Sequence, residues 1–344
     1  MPTQDAFPMR RKGIGRYAKR SPDIPRLAFE VRISMHRLPK PTFIVSPHRM
    51  QTTRLATTHF FTVDVEEYFQ VKALESVVTR DEWLTRPSRL ARSVEALLTA
   101  LEDHSARATF FALGWVARHR PHVVRSIVDA GHEIASHGFF HERVTTLTPD
   151  RFREDVRSSK RALEDVCGTA VLGYRAPSFS IIPGYEWAFD VLIEEGYRYD
   201  SSLFPIRRRG YGYPSASRVP HLIHRQAGAL VEFPLATTRF LNFSVPAAGG
   251  GYLRQFPLAV IQRAFREAGQ RGESATFYIH PWEIDPSQPR LPVSQLNRIR
   301  HYRGLNSTLH RIESLLDEFK FDTIASHLSQ LAPDGRPTVT AGAA

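Results

Sequence analysis

The chain has 344 residues, 42% of them hydrophobic and 24% charged, enough apolar material for one large α/β domain or two smaller ones. Its single cysteine, Cys167, excludes an intrachain disulfide and a thiolate zinc site. The formal net charge of +11 would point to a polyanionic partner only if it covered the folded body, and it does not, because residues 1–49 hold eleven Lys/Arg against Asp5, Asp23 and Glu30.

Residues 1–50 mix Pro, Arg and Ser without a helical or strand period and read as a disordered basic leader. Met50 is an alternative translation start, and a transit peptide is the rival reading of the head. The remaining body carries no basic stripe with a binding motif, so nucleic acid is not the expected partner. No apolar run reaches the ~18 residues of a membrane span, and no signal-peptide core opens the chain, which implies a cytoplasmic protein without a transmembrane segment.

From residue 51 onward short apolar runs alternate with amphipathic segments, the pattern of parallel βα units. HFFTVDV (59–65) reads as a buried strand. Leu90, Val94, Leu97, Leu98 and Leu101 recur at helical spacing, and ATFFALG (108–114) is the next strand. A helix opens at Pro121 and stops at Gly131; EIASHG (133–138) is a strand; Thr148 and Pro149 open a helix that Gly168 ends after Cys167. VLGYRAP and YRYDSS flank a helix from about Tyr185 to Gly196. Over 207–252 the alternation breaks: LVEFPLATTRF reads as a β insertion and AAGGGYL as a glycine-rich loop. A helix from Pro257 to Gly269, the strand ATFYIHPWE, a helix LNSTLHRIESLLDEFK and a last strand FDTIASHL complete the body. About seven strands alternating with helices favour a distorted (β/α) barrel, spanning 51–300, with an extension over 301–330 that completes it and a disordered tail over 331–344. No GxGxxG or GxxxxGK[ST] segment supports a nucleotide function.

A parallel barrel presents its working side chains at the C-terminal ends of its strands. Asp64, Glu66 and Glu67 follow the first strand, His137 and His141 the third, Arg175 the fourth and Asp200 the fifth, while His280 ends a late one. The four-residue spacing of His137 and His141 lets both imidazoles reach one metal from a single helical turn. With 15 histidines in the chain such a pair arises readily by chance, and a carboxylate at another strand end is what tips the balance toward a metal. Asp64 follows an apolar strand, where an ionised group needs a partner; Arg175 is the candidate, and an ordinary buried ion pair is the plainer reading. His280 lies among aromatic residues, as core histidines do, yet a strand end at the barrel mouth also suits a general acid.

TVDVEE, HGFFH, RAPSFS, YDSS and FYIHPWE, in this order over about residues 57–328, resemble the five motifs of the NodB-type polysaccharide deacetylases, carbohydrate esterase family 4. More narrowly, TVDVEEYFQV and YIHPWEID resemble the subgroup of exosortase (PEP-CTERM) exopolysaccharide loci, which carries a C-terminal extension. The resemblance implies a barrel of about seven strands with a divalent metal, usually zinc. It implies Asp64 as general base, His137 and His141 as metal ligands, His280 as general acid and Arg175 as the residue orienting Asp64. The first motif departs from the family pattern, with Val65 where a second aspartate is usual. Glu66 is the expected substitute ligand, since residues 64 and 66 share a strand face, and Glu67 is the fallback. The third motif has Ser178, Phe179 and Ser180 in place of its usual ending, and the fourth has only Asp200, Ser201 and Ser202. Tyr174, Pro177, Asp200 and Trp282 are the expected substrate-binding positions, with Tyr68, Phe69, Phe139 and Phe140 as further aromatic candidates.

The implied reaction is removal of the N-acetyl group from amino-sugar units of an exopolysaccharide or its lipid-linked precursor. The partners are an N-acetylated poly- or oligosaccharide and a membrane polysaccharide synthesis complex. A metal-free cyclic amide or ureide hydrolase of the same fold is the second reading, and an inactive carbohydrate-binding barrel, suggested by Val65, is the third.

Overall fold

A computed structural model describes residues 57–328 other than 209 and 242. The leader expected over 1–50 and the tail over 331–344 lie outside the described residues. In chain order the first half comprises β1 (Thr58–Val65), α1 (Leu90–Asp103), β2 (Thr109–Ala112), α2 (Gly114–His119), α3 (Pro121–Asp129) and β3 (Glu133–Ser136). Then come α4 (Pro149–Cys167), β4 (Gly173–Tyr174), α5 (Trp187–Glu194) and β5 (Tyr199–Asp200). The second half holds β6 (His221–Arg225), β7 (Gly228–Glu232), β8 (Thr237–Phe240), β9 (Phe243–Pro246), α6 (Gly250–Gln255) and α7 (Leu258–Arg271). It ends with β10 (Thr276–Ile279), α8 (Gln295–Tyr302), α9 (Thr308–Glu318), β11 (Lys320–Asp322) and α10 (Ile324–Leu328).

β1 is buried along nearly its whole length because both of its faces are covered. Phe61, Val63 and Val65 pack outward into the main core, while Phe60 joins a separate cluster with Phe111, Ala135, Tyr199, Val231 and Phe233. The two-residue period thus puts Phe60, Thr62 and Asp64 on the inner face, one above the other.

The strands run in parallel in the order β10, β1, β2, β3, β4, β5, β7. Past β7 the chain continues to a parallel bridge between Leu235 and Thr276, where Ala236 N donates to Thr276 O at 2.9 Å. That contact closes the sheet on β10, and the result is the seven-strand barrel. β6 extends β7 as an antiparallel hairpin outside it.

Local signals act as expected at several ends. Thr148 Oγ1 accepts from Arg151 N to start α4, and Gly168 ends it with φ 68°. Four segments differ from the sequence reading. LVEFPLATTRF is not simply an insertion, since its first half closes the barrel and only the rest forms the β8–β9 hairpin. AAGGGYL is not a loop, because its glycines open α6. FDTIASHL is a strand only through Asp322 and then turns helical as α10. α8 falls in a polar stretch with no strong period.

β11 pairs with the start of β1, and α10 lies across the N-terminal end of the barrel. There Ile324 N donates to Thr109 Oγ1 and Ala325 N to Glu133 Oε2, both at 2.9 Å. Ile324 is fully buried against the inner apolar cluster. The N-terminal end is therefore plugged, and the opposite end is where polar side chains gather.

Candidate active site

Arg175 follows β4 and points into the barrel, wholly buried. Its guanidinium lies 4.0 Å from the Phe111 ring centre. Nη1 donates to Thr62 Oγ1 and to Asp64 Oδ1, each at 2.7 Å, Nε donates to Ser201 O at 3.0 Å and Nη2 to Ser201 Oγ at 2.8 Å. This engaged fork holds one oxygen of Asp64 and leaves Oδ2 facing the mouth, 3.9 Å from His280 Nε2.

Two histidines reach the same place by a different device from the one expected. Residues 137–141 do not form a helical turn; they form a loop after β3, with Gly138 at φ 75° and His141 at φ 57°. Asp155, from α4, accepts from Phe139 N at 3.0 Å and from Phe140 N at 3.4 Å and so pins the loop. Burial raises the Asp155 carboxyl to about 6 against the opposing pull of those amides. His137 is tied through Nδ1 to Arg175 O at 2.8 Å, which leaves Nε2 for another partner.

Glu66 completes the group. Glu66, His137 and His141 each offer a ligand atom, and these atoms lie within 4.8 Å of one another. Glu66 Oε2 is buried without a hydrogen bond although it sits 2.9 Å from His141 Nε2. Two imidazole nitrogens and one carboxylate oxygen converging at this distance fit a divalent metal. Burial acts to raise the Glu66 carboxyl, and the neighbouring His141, His280 and His137 outweigh it and lower it. Glu67 stands elsewhere, its Oε2 accepting from Arg89 N at 3.2 Å.

His280, at the end of β10, has Nε2 3.3 Å from Glu66 Oε1 and Nδ1 2.9 Å from Glu283 Oε2. Burial acts to lower its pKa, but the carboxylates of Glu66, Glu283 and Asp64 prevail and lift it to about 9. Glu283 is bound in turn by Arg254 at 2.8 Å, and its own pKa falls to about 2, with burial opposed by Arg254 and His280. Gly250 is what admits this carboxylate, since a Cβ there would lie 2.0 Å from Glu283 Oε2. Trp282 stacks between His280 and His301, at centroid distances of 5.1 and 4.2 Å, and approaches Glu66 Oε1 at 3.4 Å through Nε1.

Asp64, Glu66, His137, His141, His280 and Trp282 line one cavity of about 290 Å³, together with Ser178, Phe179, Tyr211 and Tyr278. Ser178 and Phe179 take φ of 56° and 53°, so the segment without the usual motif ending still turns through left-handed backbone. Three expected substrate contacts do not reach this cavity. Tyr174 is fully buried against Phe152 and Tyr197. Pro177 is buried behind Gly138. Asp200 is wholly inside, bonded to Ser202 and paired with Glu232, which burial and Asp200 push well above the carboxylate range. Tyr68 and Phe69 belong to the core.

A family model for polysaccharide deacetylases matches residues 81–184, and one for a domain of unknown function, DUF3473, matches 201–329. Residues 81–184 are thus similar to a polysaccharide deacetylase domain. The chain is 31% identical over 112 residues to a peptidoglycan deacetylase of Helicobacter pylori, a stretch covering 32% of this chain and 36% of that protein. It is 29% identical over 96 residues to a chitooligosaccharide deacetylase of Bradyrhizobium, covering 28% and 42%. The chain thus spans less than half the length of these curated relatives. Among solved structures, one assigned as a polysaccharide deacetylase from Mycobacterium smegmatis matches 85% of this chain and 96% of its own, at 21% identity and TM-score 0.55. Another from Pseudomonas aeruginosa matches 79% and 89%, at 15% identity and TM-score 0.53. These two share the fold.

The site draws on both matched regions and on Asp64 and Glu66, which precede both. His137, His141 and Arg175 lie in the deacetylase match, and His280 and Glu283 lie in the DUF3473 match. Sequence reasoning missed Glu283, Arg254, Thr62, Tyr211 and Tyr278. Glu283 carried a signal, three residues after His280 in one motif; Arg254, beside glycines, carried none.

Proposed function

We propose that this chain removes the N-acetyl group from amino-sugar units by metal-dependent hydrolysis. The observation that carries the reading is the Glu66–His137–His141 cluster opening onto the same cavity as the Asp64–Arg175 pair and His280. Glu66, His137 and His141 would hold the ion, with zinc favoured by two imidazoles and one carboxylate. A divalent ion there supplies polarisation of the acetamide carbonyl and a more acidic water.

The chain's own groups supply the proton transfers. Asp64, with Oδ1 fixed by Arg175, accepts the water proton on Oδ2 as oxygen adds to the carbonyl carbon. His280, kept charged by Glu283 and Glu66, donates from Nε2 to the nitrogen as the C–N bond breaks, giving acetate and a free amine. The donated proton is essential because an amide anion is too poor a leaving group. The retained ligand cluster favours this reading over a metal-free ureide hydrolase or an inactive barrel.

The likeness of TVDVEEYFQV and YIHPWEID to the exopolysaccharide-locus subgroup supports an exopolysaccharide or its lipid-linked precursor as substrate. No helix among the described residues is long and apolar enough to cross a membrane. We place the reaction in the cytoplasm beside a membrane synthesis complex, and take 301–330 as an extension of a 51–300 barrel.

The test is metal content of the wild type, Glu66→Ala and His137→Ala, together with acetate release from an N-acetylglucosamine oligomer. One equivalent of divalent metal in the wild type, lost in both variants along with acetate release, supports the reading. A metal-free wild type, or His137→Ala with undiminished activity, rejects it.

A further inference from the structure

The catalytic cavity continues past His280. Val71, Tyr211, Tyr278 and Trp282 form a wall shared with a second cavity of about 260 Å³, whose far side carries Arg208, Tyr252 and Arg300. All three of those residues lie in the DUF3473 match, so the region of unassigned function builds this side.

The charge here is one-sided. Among the described residues Glu283 is the only carboxylate lining the second cavity, and it is already taken by buried Arg254 and by His280. Arg208 and Arg300 are exposed, and neither makes an ion pair among the described residues. Tyr211 and Tyr252 share a hydrogen bond at 2.7 Å between their hydroxyls, and Arg208 lies 5.9 Å from the Tyr211 ring centre. A lone exposed arginine is ordinarily just solvated. Two arginines lining one cavity beside paired tyrosines, with no free carboxylate among the described lining residues, make a receptor for an anion next to a sugar ring.

We infer that this second cavity binds the anionic group, phosphate or carboxylate, of a charged N-acetylated saccharide whose acetamide lies at the catalytic cluster. The inference rests on the deacetylase reading and narrows its substrate class: a neutral homopolymer leaves both guanidiniums unused. Phosphate would come from a diphosphate-linked sugar, and carboxylate from a uronate unit beside the acetylated one.

Calorimetric titration of the metal-stripped full chain, which cannot turn over, reads binding apart from activity. The probes are N-acetylglucosamine tetramer, UDP-N-acetylglucosamine and a hyaluronan tetrasaccharide. One charged probe should bind at least tenfold more tightly than the neutral tetramer. That advantage should vanish in Arg208→Ala/Arg300→Ala and in about 0.5 M salt, and persist in Arg239→Ala, an exposed arginine outside the cavity. Preference for the UDP-sugar assigns phosphate, and preference for the hyaluronan fragment assigns carboxylate. In the metal-loaded protein the double variant should raise KM for that substrate roughly tenfold and leave kcat within a factor of two. Equal affinity for all three probes, or an advantage unchanged in the double variant, overturns the inference even where acetate release from the neutral tetramer upholds the deacetylase reading. Charged-probe binding without acetate release from any substrate rejects the deacetylase reading alone.

Discussion

A guanidinium with no exposure to water depends on its hydrogen-bond partners, and Arg175 places four N–H donors on Asp64, Thr62 and Ser201. Arg175→Ala leaves the Asp64 carboxylate buried without its counter-charge, so urea unfolding should show a loss of about 3–5 kcal/mol. Arg175→Lys keeps the charge but not the fork; it should recover part of the stability while acetate release stays at least tenfold below the wild type. His59 gives a separate, pH-dependent reading, remote from the mouth. Burial lowers its pKa from 6.5 to about 4, and its Nδ1 accepts from Ala275 N, which only the neutral ring can do. Because the folded value lies below the unfolded one, this contribution is intact above pH 6.5 and is lost as pH falls toward 4. The loss is about 1.4 kcal/mol per pH unit in that window. His59→Leu should flatten the stability slope there; an unchanged slope would mean that another group sets it. At this scale the sequence was informative where a residue type is chemically demanding. Asp64 at the end of an apolar strand required a partner, and Arg175 provides it. Glu66 stands with the histidines and Glu67 does not, as their strand faces imply. Tyr174 and Asp200 misled because a polar atom in a motif can serve the interior as well as the cleft, and one sequence does not distinguish the two.

At the scale of elements, the long helices and buried strands were legible because several independent signals coincide in each. α4 has a capping threonine, a proline in its first turn and a left-handed glycine at its end. Short elements set by tertiary contacts were not legible. The histidine loop is held by Asp155, sixteen residues from Phe139, and its positive φ at His141 has no glycine to announce it. α6 was read as a loop because three glycines oppose helix formation, while Gly249 and Gly250 let Tyr278 and Glu283 approach the backbone. Both points have consequences that can be measured. Asp155→Ala frees the loop amides and should weaken zinc binding, measured against a competing chelator, by about 10–100-fold with modest change in melting temperature. Gly250→Ala places a methyl 2.0 Å from Glu283 Oε2, so Glu283 must move and His280 loses its Nδ1 partner. The expected result is a lower kcat with zinc content unchanged; a variant with wild-type kcat would show that His280 does not depend on that carboxylate.

For the whole molecule, the barrel separates chemistry from stability along its axis. Side chains on the inner face of β1 change with height, from Phe60 in the apolar plug through Thr62 to Asp64 at the mouth. Closure at Leu235–Thr276 was hidden in the sequence because a single bridge makes it, in a segment whose turn residues resemble those of a surface hairpin. The plug was partly legible as a terminal strand, but α10 was not, since five residues carry too little period to declare a helix. Ile324, completely buried in α10, touches the inner cluster at the opposite end from the Glu66–His137–His141 group. Ile324→Ala should therefore remove about 2–5 kcal/mol of unfolding free energy while KM and kcat, measured well below the new melting temperature, stay within a factor of two. That separation is expected of a barrel whose N-terminal end bears on stability and whose C-terminal end bears on function. If the substitution instead reduced kcat in proportion to the lost stability, the inner stack of Phe111, Arg175 and Asp64 would have to transmit packing at the plug to the mouth. Leu→Ala at Leu235, on the closing segment, would then distinguish transmission along the barrel interior from general loosening, because only general loosening would affect both variants alike.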